Sequence, residues 1–229
     1  MALLYGYAGS FDLKAIDAAI TSPYYGPGLL YVGLAMLAIG MLFKIGVVPF
    51  HNWVPDVYVG APTPVTGFMA ICTKLAAVGA TMRVFYVALG GERWNWQPLL
   101  AVLVVATMVV GAVWGLTQTD IKRTLAYSSI AHAGYILLGL LAINRVGSWA
   151  LLFYLLSYLF VTFGVFAVVI VLERREYAGE TYEDYAGLAR RAPFLAACLL
   201  VFLLALTGIP PTGGFVGKLY LFGAAVQAG

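Results

Sequence analysis

The sequence predicts an all-α fold, a polytopic transmembrane bundle of about six spans with broken helices. Of its 229 residues, 62% are hydrophobic and 10% charged, and mean hydropathy is +0.93. An ordinary soluble domain carries roughly 25% charged residues. The apolar residues gather into stretches near the ~20 residues that take a helix across a bilayer. With the span boundaries given in the next paragraph, all ten carboxylates and nine of the thirteen lysines and arginines fall between these stretches.

Residues 1–27 read as an N-terminal tail or loop. The apolar start "ALLYGY" has neither the basic region nor the cleavage site of a signal peptide, and looks like the tail of an earlier helix. Gly28–Phe50 is the first span and Pro64–Leu89 the second, with Thr63 placed as an N-cap before Pro64 at the first helical position. Pro98–Leu116 opens on a proline in the same way. Leu125–Ile143 and Ser148–Leu172 follow. The last span runs from Pro193 to about Ala228 and is interrupted at "TGIPPTGG", which cannot continue as helix.

Alternating spans put 51–63, 117–124 and 173–192 on one side, with Lys122, Arg123, Arg174, Arg175, Arg190 and Arg191. The other side holds Lys14, Arg93 and Arg145. The more basic side is expected to be cytoplasmic, or its organellar equivalent. The 173–192 connector mixes these arginines with five carboxylates and reads as solvated, with "TYEDYAGLARR" as a short interfacial helix.

Several classes of function are excluded. A net charge of +3 without a dense basic run does not suit nucleic acid. Cys72 and Cys198 stand apart inside apolar runs, as packing residues rather than a disulfide or metal site. "PTGGFVGK" lacks the spacing of a phosphate loop and reads as a helix break.

Chemistry is therefore sought in the charges left inside the spans: Lys44, Lys74, Arg83 and Lys218. Arg83, six residues from a span end, is expected to snorkel. Lys74 falls near mid-depth, with Gly67, Ala70, Ala77 and Thr81 at helical spacing. That suits close helix approach and leaves room for water. Intramembrane ionisable groups mark ion or substrate paths, against the plainer reading of a structural ion pair. Lys44 precedes Gly46 and Pro49, and Lys218 follows the "GIPPTGG" break. Broken helices at membrane depth build ion sites between half-helices. On this reading a carbonyl end favours the charge on Lys44, and an amide end disfavours it on Lys218. Ser128, His132 and Tyr135 share one face of the fourth span, and Tyr154, Tyr158 and Thr162 one face of the fifth. His132 is either a satisfied core histidine or a proton relay.

Three stretches carry a family resemblance. "FKIGVVPFHNWVPDVYVGAPTPVTGFMAICTKLAA" (43–77), "LAYSSIAHAGYILLG" (125–139) and "LTGIPPTGGFVGKLYLF" (206–222) resemble the antiporter-like, proton-translocating subunits of respiratory complex I, NADH–quinone oxidoreductase. Within that family they are most similar to the subunit N type, the mitochondrial subunit 2 equivalent. The resemblance implies a fold of about fourteen helices with two inverted repeats of five. Residues 28–89 would end the first repeat, and 98–229 would supply four helices of the second, broken near 207–214. Lys44 matches the lysine of the broken seventh helix, Lys74 that of the eighth, His132 a histidine of the tenth, and Lys218 the lysine of the broken twelfth.

The family implies protons moving along this axis, coupled to quinone reduction. It implies no cofactor in this chain, since quinone and NADH act through partner subunits. The implied partners are other membrane subunits of complex I and the lipid bilayer, not nucleic acid. The family pairs the seventh-helix lysine with a glutamate on the fifth helix, and none lies inside the six spans. The chain therefore reads as a piece starting near the end of the sixth helix. A subunit of a multisubunit sodium–proton antiporter, a membrane-bound hydrogenase subunit and a passive scaffold stand as alternatives.

Overall fold

The computed structural model describes residues 1–21, 28–90, 93–142, 144–176 and 179–228; Ile143, expected to end the fourth span, lies outside them, as do the side chains of Arg93 and Arg175. In chain order the helices are α1 (Ala2–Ala8), α2 (Leu13–Thr21), α3 (Gly28–Ile45), α4 (Trp53–Gly60), α5 (Thr63–Phe68), α6 (Lys74–Arg83), α7 (Arg93–Gly115), α8 (Ile121–Leu141), α9 (Arg145–Glu176), α10 (Leu188–Arg191), α11 (Pro193–Thr207) and α12 (Gly213–Gln227). π-helical turns at Met69–Thr73 and Val84–Ala88 make α5 and α6 one continuous span, Thr63–Ala88.

Four further stretches are long and apolar enough to cross a membrane: Gly28–Ile45, Trp96–Gly115, Ile121–Leu141 and Arg145–Arg174. α11 has 15 residues, about 22 Å of helix, so it crosses only part of a bilayer, and α12 begins after a break at 208–212. The expected break in the last span therefore stands. The tail at 1–27 is corrected, because it holds α1 and α2, with α1 packed on α3. The 51–63 loop is corrected too, since it holds α4.

Helix ends differ from expectation for local reasons. α8 starts four residues early because Asp120 Oδ1 accepts the Arg123 N–H at 2.8 Å, capping a helix that includes Lys122 and Arg123. α7 starts at Arg93, so Pro98 sits inside it rather than at its first position. Thr63 is the first helical residue, not the cap, and its hydroxyl donates to Glu173 Oε1 at 2.6 Å. α9 runs past Leu172 to Glu176, which brings Glu173 into a spanning helix. There it pairs with Lys122 Nζ at 2.9 Å, tying the ends of α5, α8 and α9 together.

α8 is the central helix, buried along 72% of its span against 22% for α3 and α7. It touches α4, α7, α9 and α12. Small residues permit this: a Cβ on Gly111 would stand 2.5 Å from the Ala131 nitrogen, and one on Gly134 equally close to Met108 Cγ. Without a hydrophobic force between helices in lipid, such close backbone approach is what gains dispersion contact.

The two breaks are built alike. α3 stops at Gly46 (φ 85°) and α11 at Gly208 (φ 85°), a left-handed conformation that glycine adopts without a Cβ penalty. Val48–Pro49 and Pro210–Pro211 are cis. At the first break the Val48 N–H donates to Thr107 Oγ1 at 3.1 Å, and the Trp53 indole N–H donates to Phe43 O at 3.0 Å. At the second, Thr212 Oγ1 caps α12.

Candidate functional site

Lys74 is only 5% exposed and stands directly after the π-turn at 69–73. Such a turn inserts a residue and re-aims the side chains on its C-terminal side, and it recurs at functional sites. The Lys74 ammonium donates to the backbone carbonyl of Ser129 and to Ser129 Oγ, and lies 5.6 Å from the centre of the Tyr158 ring. Ser129 Oγ in turn meets Tyr58 Oη at 3.2 Å. The small-residue face read from the sequence holds: Ala70, Ala77 and Thr81 are buried, and Gly67 packs on Phe166.

From Tyr158 the file continues through His132, whose ring centre is 5.1 Å away. His132 Nδ1 is hydrogen-bonded to Tyr154 Oη, and its ring lies 5.8 Å from that of Tyr135. Lys218 Nζ stands 4.6 Å from the Tyr135 ring centre. A cavity of about 10 Å³, roughly the room one water needs, lies among His132, Tyr154, Ser157, Tyr158 and Gly214. Lys74, His132 and Lys218 thus join in one lateral row, bridged by tyrosine rings. Thr162 is buried on the same face of α9 as Tyr158 but makes no hydrogen bond among the described residues.

The electrostatics at Lys218 correct the expected sign. Its ammonium donates to Leu206 O at 2.8 Å and Thr207 O at 2.9 Å, the last carbonyls of α11. The side chain reaches backward across the break, so the helix end that acts on it is a carbonyl end, which favours the cation. Gly208 leaves the passage open, since a Cβ there would meet Lys218 Cδ at 3.0 Å.

Lys44 does not join the row. It sits in the last turn of α3, as expected, but its side chain is exposed and makes no hydrogen bond or ion pair among the described residues. Arg83 is also exposed, in keeping with snorkelling. The ion pairs among the described residues, Lys122–Glu173 and Arg123–Asp56, lie at helix ends and not against Lys74 or Lys218.

The sequence places Ser128 on the face of His132 and Tyr135, and the serine that meets Lys74 is Ser129. Both lie a helical turn before His132, and spacing alone does not separate them. Two buried groups lie in the stretch expected to be a loop: Tyr58, and His51, which is 4% exposed against Trp114 with neither ring nitrogen partnered among the described residues. The signal the sequence carries for them is His51, Trp53 and Tyr58 gathered within eight residues of low charge.

The bundle has two broken spans and a lysine–histidine–lysine row with Lys74 and His132 buried, Lys218 partly buried, and no carboxylate against it among the described residues. The chain belongs to the NADH:quinone oxidoreductase/Mrp antiporter transmembrane family, matched over residues 1–229. It is 50% identical over 229 residues to NADH-quinone oxidoreductase subunit N of Acidothermus cellulolyticus, covering all of this chain and 44% of that protein. It is 52% identical to subunit N of Rhodococcus opacus, covering 42% of it. The chain thus spans less than half the length of these relatives.

Among solved structures, it resembles a chain of respiratory complex I from Thermus thermophilus with bound aureothin at 42% identity and TM-score 0.81, over all of this chain and 48% of that one. It resembles a chain of the Mrp complex from Dietzia sp. DQ12-45-1b at 29% identity and TM-score 0.89, over 99% and 41%. The fold is that of the antiporter-like membrane subunits, and the chain is a multi-pass membrane protein.

Proposed function

We propose that this chain is part of a proton-translocating membrane subunit of an NADH–quinone oxidoreductase. In it Lys74, His132 and Lys218 carry protons along the row, and Lys44 serves the same path from the end of α3. The observation that carries this reading is the continuous row Lys74–Tyr158–His132–Tyr135–Lys218, whose cations are held by carbonyls, a hydroxyl and ring faces. A buried ion pair serves structure. A lysine held by neutral groups changes charge without orphaning a buried carboxylate, which is what a carrier of protons needs. The chain needs no cofactor of its own on this reading; NADH and quinone act on partner subunits of the complex, in the cell or inner membrane.

The test is Lys74→Ala in the complete subunit, assembled in its complex and reconstituted in liposomes. Proton translocation and coupled quinone reduction should fall while subunit composition persists. Normal pumping by this variant refutes the reading, and loss of the assembled complex instead makes Lys74 a structural residue.

The backbone match to the Mrp chain favours a second reading, a subunit of a multisubunit cation–proton antiporter. The higher identity to subunit N ranks it second. Co-purification of redox subunits decides for the first, and a complex without them for the second.

A further inference from the structure

The function proposed above requires Lys74 to give up and regain a proton, and this inference rests on that reading. Among the described residues, both hydrogen-bond acceptors of its Nζ are on Ser129. The backbone carbonyl accepts a hydrogen bond but holds no proton to pass on. The hydroxyl has both a proton and lone pairs, and beyond Lys74 it meets Tyr58 Oη at 3.2 Å.

Tyr58 is held as a fixed part. It is 3% exposed, its ring sits edge-on to Phe166, and its carbonyl accepts from Thr66 Oγ1 at 3.0 Å. A buried phenol oxygen costs free energy unless it is partnered, and packing on Phe166 needs only the ring. Away from Tyr58, Asn52 at the start of α4 and Asp56 within it are exposed, Asp56 beside Arg123. α4 comes after the first break, so this hydroxyl pair joins that break to Lys74.

We propose that Ser129 and Tyr58 form the hydroxyl relay through which Lys74 exchanges its proton with water on the α4 side of the bundle. In release, a proton leaves Lys74 Nζ for Ser129 Oγ as the serine's own proton moves to Tyr58 Oη and the phenol's proton moves to a water molecule. Each N–H or O–H bond broken is matched by one formed. The amine ends neutral, both hydroxyls end neutral, and the positive charge leaves as hydronium. Loading is the reverse. In each state the Ser129 hydroxyl has a partner: it accepts from the ammonium and donates to Tyr58, or donates to the amine and accepts from Tyr58.

The experiment is Tyr58→Phe in the complete subunit within its complex, with turnover and proton translocation measured in H2O and D2O. The variant deletes one oxygen and keeps the ring. Assembly should persist, turnover should fall at least about fivefold, and the solvent isotope effect should rise as proton exchange at Lys74 becomes rate-limiting. A smaller fall, or a fall with an unchanged isotope effect, overturns the relay. If Tyr58→Phe does not assemble, Ser129→Ala carries the same expectations and the same refuting results. Lys74→Ala measured alongside separates the two levels. Should it abolish pumping while Tyr58→Phe turns over like the parent, the relay alone is wrong; should it pump normally, the proposed function falls.

Discussion

Two substitutions separate the clamp that Lys218 makes on the second break from the proton carriage proposed for it above. Lys218→Met keeps the aliphatic stem and removes the donors to Leu206 O and Thr207 O. A hydrogen bond from a charged group contributes about 1.5–3 kcal/mol. Lys218 is only partly buried, so the pair is discounted to roughly 2–3 kcal/mol in all, including its interaction with the carbonyl end of α11. Local opening governs amide exchange in such a segment. The Gly208 and Ile209 amides, both bonded to Leu204 O, report on this end of α11, and Thr212, bonded to Ile209 O, on the turn. By mass-spectrometric hydrogen exchange on the assembled complex, their exchange should be about 30- to 150-fold faster in Lys218→Met, since each 1.4 kcal/mol is tenfold. Lys218→Arg keeps a cation with donors for both carbonyls and should exchange much like the parent. Its proton translocation should nevertheless be lost, because arginine does not release its proton in a protein. Unchanged exchange in Lys218→Met means the carbonyl clamp does not close the break. Normal pumping by Lys218→Arg means Lys218 need not deprotonate, and the row then ends at His132.

Gly214→Ala should block assembly, because a Cβ there would fall 1.8 Å from Ala205 O and force α11 and α12 apart; wild-type yield and pumping would show that the half-helices are not packed this way. Glu173→Gln leaves Lys122, whose side chain is 8% exposed, without its countercharge. Allowing for the partial exposure of Glu173, the cost is about 1–3 kcal/mol, read as a lower thermal inactivation temperature that Lys122→Glu/Glu173→Lys partly restores. Asp184 lies outside the spans, and its carboxylate accepts from the backbone N–H groups of Thr181, Gly179 and Glu180, which hold it below the ordinary value of 3.8. A depressed carboxyl stabilises the fold above its unfolded pKa and loses that contribution as pH falls through the folded one. Limited proteolysis of the 179–191 segment should therefore accelerate only below about pH 4, and Asp184→Asn should remove that pH dependence; equal dependence in both proteins refutes the capping role.

What the sequence made legible was whatever burial cost alone decides. Lys74, His132 and the Tyr154–Tyr158–Thr162 face stood out because polar groups are costly at those depths, and the structure buries each of them. The break at 207–214 was legible from two prolines and three glycines within eight residues. Span ends were less legible, because a cap such as Asp120 extends a helix into residues whose charge reads as loop. Glu173 was lost to the same cause. It is charged and near an end, yet it reaches inward to Thr63 and Lys122, contacts more than 50 residues away that no local pattern announces.

The carbonyl contacts of Lys218 follow from helix geometry. Cα–Cβ bonds tilt toward the helix N-terminus, so a long side chain six residues into α12 points back over the break. The relevant dipole is therefore that of the preceding half-helix and not of its own. The same rule separates the lysines. Lys44 precedes its break, in the last turn of α3, and is exposed; Lys218 comes after its break and reaches back into it. At the second break the carbonyls thus go to the lysine on its C-terminal side, whereas at the first the Phe43 carbonyl accepts from the Trp53 indole. Carbonyls stabilise an ammonium and cannot take its proton, so on the proposed function the clamp and the proton acceptor at Lys218 are different groups. The neighbours left for that second role lie toward Tyr135 and His132, along the row.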